Sequence, residues 1–360
     1  MVESAARRRL LELLRAGSSE VEVVAEAARR ALVAEAAPLA LDDAEAAGEA
    51  ALAAQRQLLQ EVLEDPICRA YPPQRLARRC LLKSVLALLD TGEIPEVDDE
   101  LYAICVAGAG LGDMATVAGA DEGFDGYRTL ELSGGFVVCR VASNMGGDFE
   151  TGSQLWSAGC AALGLWTEGA LDAHLQGHVL ELGAGTGALG LALARRGAPV
   201  TRVTLTDGQP AVVSNLRHNV AATEALGATA APVEVCHLEW GAPQFEALPP
   251  QPVDAVLGCD LIYDAASMPL LAALLRRLLH PEGAAALALI GVTHRSEATS
   301  RAFDDALGAE GLRREALDLG AGAWAEASAW VRLLSHDRPQ SDGMGVVEIL
   351  RITSVGSFSG

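Results

Sequence analysis

The chain has 360 residues, half of them hydrophobic, with 48 acidic against 27 basic side chains and a formal net charge of −21. That length allows one large domain plus a smaller one and a sizeable buried core. The charge opposes a surface that grips a phosphate backbone, which needs clustered Lys and Arg; it suits a basic macromolecular partner, or solubility alone. Aromatic residues make up only 4%, so the core must rest on Ala, Leu and Val. The seven cysteines form no CxxC pair, and several stand in apolar runs such as "VEVCHL". That is the pattern of reduced, buried thiols in an intracellular protein, not of a disulfide framework. No metal-ligand spacing links the His and Cys residues, and no apolar run is long enough to span a membrane.

"MVESAARRRLLELLRAG" opens the chain as a basic amphipathic stretch, interrupted by Glu3 and Glu12. A surface helix of a cytosolic protein is the expectation, with a transit peptide as the alternative. Residues 1–60 are rich in Ala, Leu, Arg and Glu, which predicts two or three helices with loops at "AGSS" and near Pro38. "PQRLARRCLLKSVLALLD" predicts a helix with Pro73 near its start and Thr91-Gly92 past its end, and "DDELYAICVAGAG" another with Asp98 or Asp99 as its cap. The texture changes near residue 125. "YRTLELSGGFVVCRVAS" alternates around Ser133-Gly134-Gly135 and predicts a β-hairpin; "TGSQLWSAGCAALGLW" reads as a loop running into a helix.

After Gly177 strands and helices alternate. "HVLEL", "RVTLTD", "PVEVCHL", "VDAVLGCD" and "AALALIGV" are the strands; "GALGLALARR", "QPAVVSNLRHNVAATEAL" and "ASMPLLAALLRRLL" are helices between them. The third strand reaches the fourth through the Pro-rich "GAPQFEALPPQP". This predicts an α/β fold, a parallel sheet with helices on its faces. A further helix, "SEATSRAFDDALGAEG", follows, and then "ASAWVRLL" and "VVEILRITS", which flank the loop "SHDRPQSDGMG" and are expected to pair antiparallel at the sheet edge.

The stretch "VLELGAGTGALG", residues 179–190, holds both GxGxG and GxGxxG. Glycines between a first strand and its helix let a ligand approach the backbone, and Asp207, at the end of the second strand, stands where an acid commonly bonds a ribose diol. Both S-adenosylmethionine and NAD carry adenosine, so these features do not separate them. Three others do. Glu181 stands two residues before Gly183, where a dinucleotide fold is usually apolar. "HLEW" puts Glu239 and Trp240 at the end of the third strand, and "CDLIYD" puts Asp260 and Tyr263 at the end of the fourth. Nothing resembles a hydride-transfer acid or base, and S-adenosylmethionine is the expected cofactor. Bland readings stand beside these: Asp207 as a helix cap, Trp240 as a cover for the sheet end, Cys259 as a small packer, His218 and His237 as structural. The functional reading rests on four strand ends together.

With "TGSQLW", "ELGAGTG", "LEW" and "DLIYD" in this order, residues 127–355 resemble the seven-strand protein-lysine methyltransferases of methyltransferase family 16. "DPICRAYPPQRLARRCLLKSVLALLD" with "DDELYAICVA", the "SGG" hairpin and "GVTHRSEATSRAFDDALGAEGL" is similar to the elongation-factor-2 lysine methyltransferases. Glu239 stands where an Asp is more usual, and Gly258-Cys259 replaces a small Ala-type pair. The resemblance implies a Rossmann-like seven-stranded methyltransferase sheet preceded by a β-hairpin and an N-terminal helical domain. The helical domain is expected over 1–125, with 1–57 carrying no assignable pattern, and the methyltransferase domain over 126–356. It implies that Trp156, Glu181, Gly183, Ala184, Gly185, Asp207, Trp240 and Cys259 line the cofactor, and that Asp260 and Tyr263 are the catalytic pair bordering an acceptor-lysine channel. The implied partner is a protein substrate, elongation factor 2, met by a cytoplasmic monomer with no nucleic acid, membrane or metal. The rivals are an enzyme acting on a lysine or histidine of another protein, and a binding module that kept the fold without turnover. The intact "ELGAGTG" and "DLIYD" speak against the latter.

Overall fold

A computed structural model describes residues 5–34, 44–109, 124–142, 151–241, 252–279, 285–335 and 346–354. The loop expected near Pro38, nearly all of the Pro-rich "GAPQFEALPPQP" and nearly all of "SHDRPQSDGMG" lie outside the described residues. The chain divides into two compact units, Met1–Leu130 with Val141–Ser143, and Glu131–Arg140 with Asn144–Gly360.

The first unit holds helices α1 (Ala5–Arg15), α2 (Val21–Arg29), α3 (Ala44–Leu58), α4 (Pro66–Ala70), α5 (Arg75–Leu89) and α6 (Asp99–Ala109). "AGSS" is the loop between α1 and α2, with Gly17 at φ +72°. Asp98 caps α6, its Oδ1 accepting from Leu101 N at 3.1 Å. The amphipathic helix expected at the start forms, with Arg8 and Arg9 exposed, but two of its arginines lie on its buried side. Leu10, Leu11, Leu13 and Leu14 of α1 are buried, and so are its Arg7 and Arg15. The arginines enter the interior because each is paired there: Arg15 donates to both oxygens of Asp65, at 2.6 and 3.1 Å, and Arg7 to Glu61 at 2.6 Å. Asp65 also caps α4 through Cys68 N, at 2.7 Å. Arg7 and Arg15 are thus structural, while Arg8 and Arg9 stand exposed beside Glu12.

The hairpin forms as expected, β1 (Phe124–Leu132) and β2 (Gly135–Ala142) joined at Ser133-Gly134. In the second unit β3 (Gly177–Leu182), β4 (Val200–Asp207), β5 (Val233–His237), β6 (Ala255–Cys259), β7 (Leu287–Thr293), β8 (Leu312–Ala316) and β9 (Val347–Ser354) form one sheet in the order β5-β4-β3-β6-β7-β9-β8. The first five run parallel; β9 is antiparallel to both neighbours. Helices α7 (Ser157–Thr167), α8 (Ala188–Arg196), α9 (Pro210–Ala225), α10 (Met268–Leu278), α11 (Glu297–Ala309) and α12 (Gly320–Leu334) complete it. The buried apolar strands suit a parallel sheet covered on its faces, such as Leu180, Leu182, Val256 and Ile290 against Leu271, Leu275 and Phe303.

One strand assignment is corrected. "ASAWVRLL" is the second half of α12, and its buried residues Ala327, Val331 and Leu334 recur at helical spacing. The edge partner of β9 is instead β8, "LRREA", where Leu312 alone is buried. Strand order reverses at β3, between β4 and β6. Ligands of such sheets bind outside the carboxyl ends of the strands at that reversal.

Candidate functional site

At that edge lies a cleft of about 590 Å³, a volume suited to a cofactor-sized molecule. Its floor is the glycine loop between β3 and α8. Gly183, Gly185 and Gly187 take φ of +56°, +55° and +78°, a conformation that penalises any side chain. A Cβ at Gly183 would also lie 2.5 Å from Leu261, and one at Gly185 3.0 Å from Gly152 O. The loop is pinned from behind, with Ala184 N donating to Thr206 O at 2.8 Å and Asn219 Nδ2 to Thr186 O at 2.9 Å.

Glu181 lies beneath the loop. Its Oε2 accepts from Gly190 N in the first turn of α8 at 2.9 Å. Burial pushes its carboxyl up to about 8, the Gly190 donor working against that shift and the charge of Asp207 adding to it. Asp207 closes β4 and accepts from Gly185 N at 3.2 Å and Gln209 N at 3.1 Å. It therefore ties the glycine loop to Gln209, the N-cap residue of α9, without itself capping the helix, and it also lines the cleft. Burial raises its pKa, opposed by the backbone donors around it.

After β5, Trp240 is half-buried, packed against the core below α10, and Glu239 is exposed. His237 keeps a structural role, its Nε2 bonded to Gly208 O at 2.8 Å. After β6, burial holds the Cys259 thiol well above its usual range, so it serves as an inert packer, close against Gly291. Asp260 accepts from Ala158 N of α7 at 2.8 Å, and Tyr263 stands 62% exposed at the rim. Trp156, just before α7, donates through Nε1 to Thr151 O at 2.9 Å.

The structure thus brings all ten singled-out residues, Trp156, Glu181, Gly183, Ala184, Gly185, Asp207, Trp240, Cys259, Asp260 and Tyr263, onto one cleft. Among the polar members that the sequence reading missed are Gln154 and Arg295. Gln154 stood inside the quoted "TGSQLW" as a signal; Arg295 lay in "GVTHRSEATS" with no spacing to mark it. Among the described lining residues the acids Asp207, Glu239 and Asp260, with Glu181 kept protonated by burial, stand against Arg295. That balance suits a cationic sulfonium and opposes the pyrophosphate of a dinucleotide.

The chain matches the family model described as lysine methyltransferase over residues 140–308. The human putative protein N-methyltransferase FAM86B2 is 26% identical over 271 residues, covering 72% of this chain and 78% of that one. The human protein-lysine N-methyltransferase EEF2KMT is 26% identical over 270 residues, with 72% and 78% covered. EEF1A lysine methyltransferase 3 of Xenopus tropicalis is 34% identical over 143 residues, covering 40% of this chain and 59% of that one.

Proposed function

We propose that this chain, which belongs to the lysine methyltransferase family and uses S-adenosylmethionine, methylates a lysine of elongation factor 2. The observation that favours this factor over another protein is extent. The similarity to EEF2KMT covers 72% of the chain, more than residues 140–360 contain, so it takes in sequence ahead of the cofactor-binding fold. The similarity to EEF1A lysine methyltransferase 3 is closer per residue but covers 40%. The setting that goes with this reading is a cytoplasmic monomer acting on a protein, without nucleic acid or membrane; among the described residues no helix is long and apolar enough to cross one.

The cofactor, when bound, supplies an electrophilic methyl group on a sulfonium. Asp207 would bond the ribose hydroxyls, Trp240 would cover the adenine, and the loop Gly183–Gly185 with Glu181 below it would take the methionine end. Trp156 and Cys259 close the walls. Asp260 and Tyr263 border the channel through which the lysine enters. A free lysine has a pKa of ~10.4, so presenting it neutral near pH 7.4 costs ~4 kcal/mol. Desolvation in a narrow channel beside a cation lowers that cost, and water carries the proton away, so no dedicated base is required. The rate is expected to rise between about pH 7 and about pH 9, as more lysine is neutral before entry.

The test is transfer from labelled S-adenosylmethionine to purified elongation factor 2, to its single Lys→Arg variants and to elongation factor 1A. One Lys→Arg change should erase the label, because Arg keeps its proton at these pH values. Label on elongation factor 1A alone, or label that survives every single change, would overturn the substrate while leaving the methyltransferase in place.

A further inference from the structure

At the rim of the cleft, three side chains from three segments hold one another. Asp260 follows β6 with φ +54°, a left-handed conformation uncommon outside glycine and kept only where the surroundings enforce it. Its backbone N donates to Gly291 O of β7 at 2.8 Å. Its carboxylate is 5% exposed, with Oδ2 accepting from Ala158 N at 2.8 Å and Oδ1 from Arg295 Nη1 at 3.2 Å. The Arg295 guanidinium also lies over the Trp156 ring, 5.4 Å from its centroid. One cation therefore serves two residues already assigned to the cleft, and it is 36% exposed among the cleft's lining residues.

The charge of this rim matters for the chemistry. The acceptor must enter as a neutral amine. An unpaired carboxylate beside it favours the ammonium form; a carboxylate paired with a guanidinium does so far less, and the guanidinium itself repels an ammonium. We propose that Arg295 is a positioning residue that fixes Asp260 and Trp156 at the rim and keeps the rim from stabilising a protonated lysine. This rests on the reading of the cleft as a lysine-methylating site.

Other titratable groups face the same space. Glu181, Asp207 and Glu239 come from the ends of β3, β4 and β5; Cys160 and Cys259 come from α7 and β6, and Tyr263 from beyond Asp260. His294, beside Arg295, is paired with Glu348 of β9 at 2.8 Å. These groups are common to the wild-type enzyme and to any Arg295 variant. The pH dependence of the variant-to-wild-type ratio therefore isolates Arg295.

The experiment is single-turnover methyl transfer to elongation factor 2 at several pH values between about 6.5 and about 9.5, with wild-type enzyme and with Arg295→Met, Arg295→Gln and Arg295→Lys. Binding of S-adenosylhomocysteine to each is measured by calorimetry. At saturating S-adenosylmethionine, set by those titrations, the Met and Gln variants are expected to transfer about tenfold more slowly near pH 7.5, the equivalent of about one pKa unit on the acceptor. The pH at which the rate levels off should lie about one unit higher in these variants than in the wild-type enzyme, the deficit shrinking only above the wild-type value, and Arg295→Lys should restore most of the rate. The neutral Gln variant carries the test should the Met variant not fold. A rate that levels off at the same pH in the variants as in the wild-type enzyme, or a Lys variant as slow as the Met variant, would overturn the proposal and leave Arg295 as packing. A wild-type enzyme that binds S-adenosylhomocysteine yet methylates no lysine of either elongation factor would overturn the lysine reading itself, and the proposal with it.

Discussion

Glu181 combines full burial with one backbone donor, Gly190 N, and so keeps its proton up to about pH 8, against an ordinary value of 4.5. The consequence for stability follows by linkage. Below pH 4.5 the group is protonated in folded and unfolded chains alike. Between 4.5 and 8 the unfolded chain releases the proton while the folded one retains it. Stability from this group is therefore present at low pH and lost as pH rises through that window, by up to about 1.4 kcal/mol per pH unit. Glu181→Gln preserves an acceptor for Gly190 N and removes the ionisation. It should raise the melting temperature of the cofactor-free protein near pH 8 and do little near pH 5; calorimetric melts at the two values check this, and an equal effect at both would mean that Glu181 is already ionised. Glu181 and Asp207 were legible in the sequence because each ends a strand beside a recognisable glycine loop. Arg295 was not. It reaches the cleft only because β7 lies next to β6, with Gly291 beside Cys259, and pairing between strands leaves no signature in spacing along the chain.

Among elements, the parallel strands and their helices were legible because each apolar run matched its period. The edge was not. "ASAWVRLL" has aromatic and β-branched residues that favour a strand in isolation. The preceding "AGAWAE" extends it into a helix long enough to bury Ala327, Val331 and Leu334 on one face. Helix α12 lies close against α7 at Gly164, where a Cβ would stand 2.8 Å from Trp330 and 2.9 Å from the Ala327 backbone. In an open helix Gly→Ala gains up to about 1 kcal/mol. At this crossing the added methyl overpacks, a cost of about 1–3 kcal/mol. Gly164→Ala is thus expected to lower the urea midpoint, and a raised midpoint would show that the two helices have room between them.

Over the whole molecule, the described residues lining the cleft all come from position 151 onward, and the first compact unit contributes none of them. Removal of residues 1–125 is expected to leave cofactor binding and to abolish transfer to the protein target. Calorimetry and labelled transfer on the truncated protein check the two halves separately; undiminished transfer would deny the helical segment a part in recognition. The sequence before residue 60 left its own packing illegible, since ion pairs such as Arg15 with Asp65 join residues fifty positions apart. A different outcome attaches to β8, the strand that the sequence concealed. As the end of the sheet among the described strands, it has one row of backbone groups with no described strand beside it. Its Arg313, Arg314 and Glu315 are exposed, and charges along a free edge deter another chain from adding itself there. The charges that deter pairing along such an edge are the ones that break the alternation by which a strand would have announced itself.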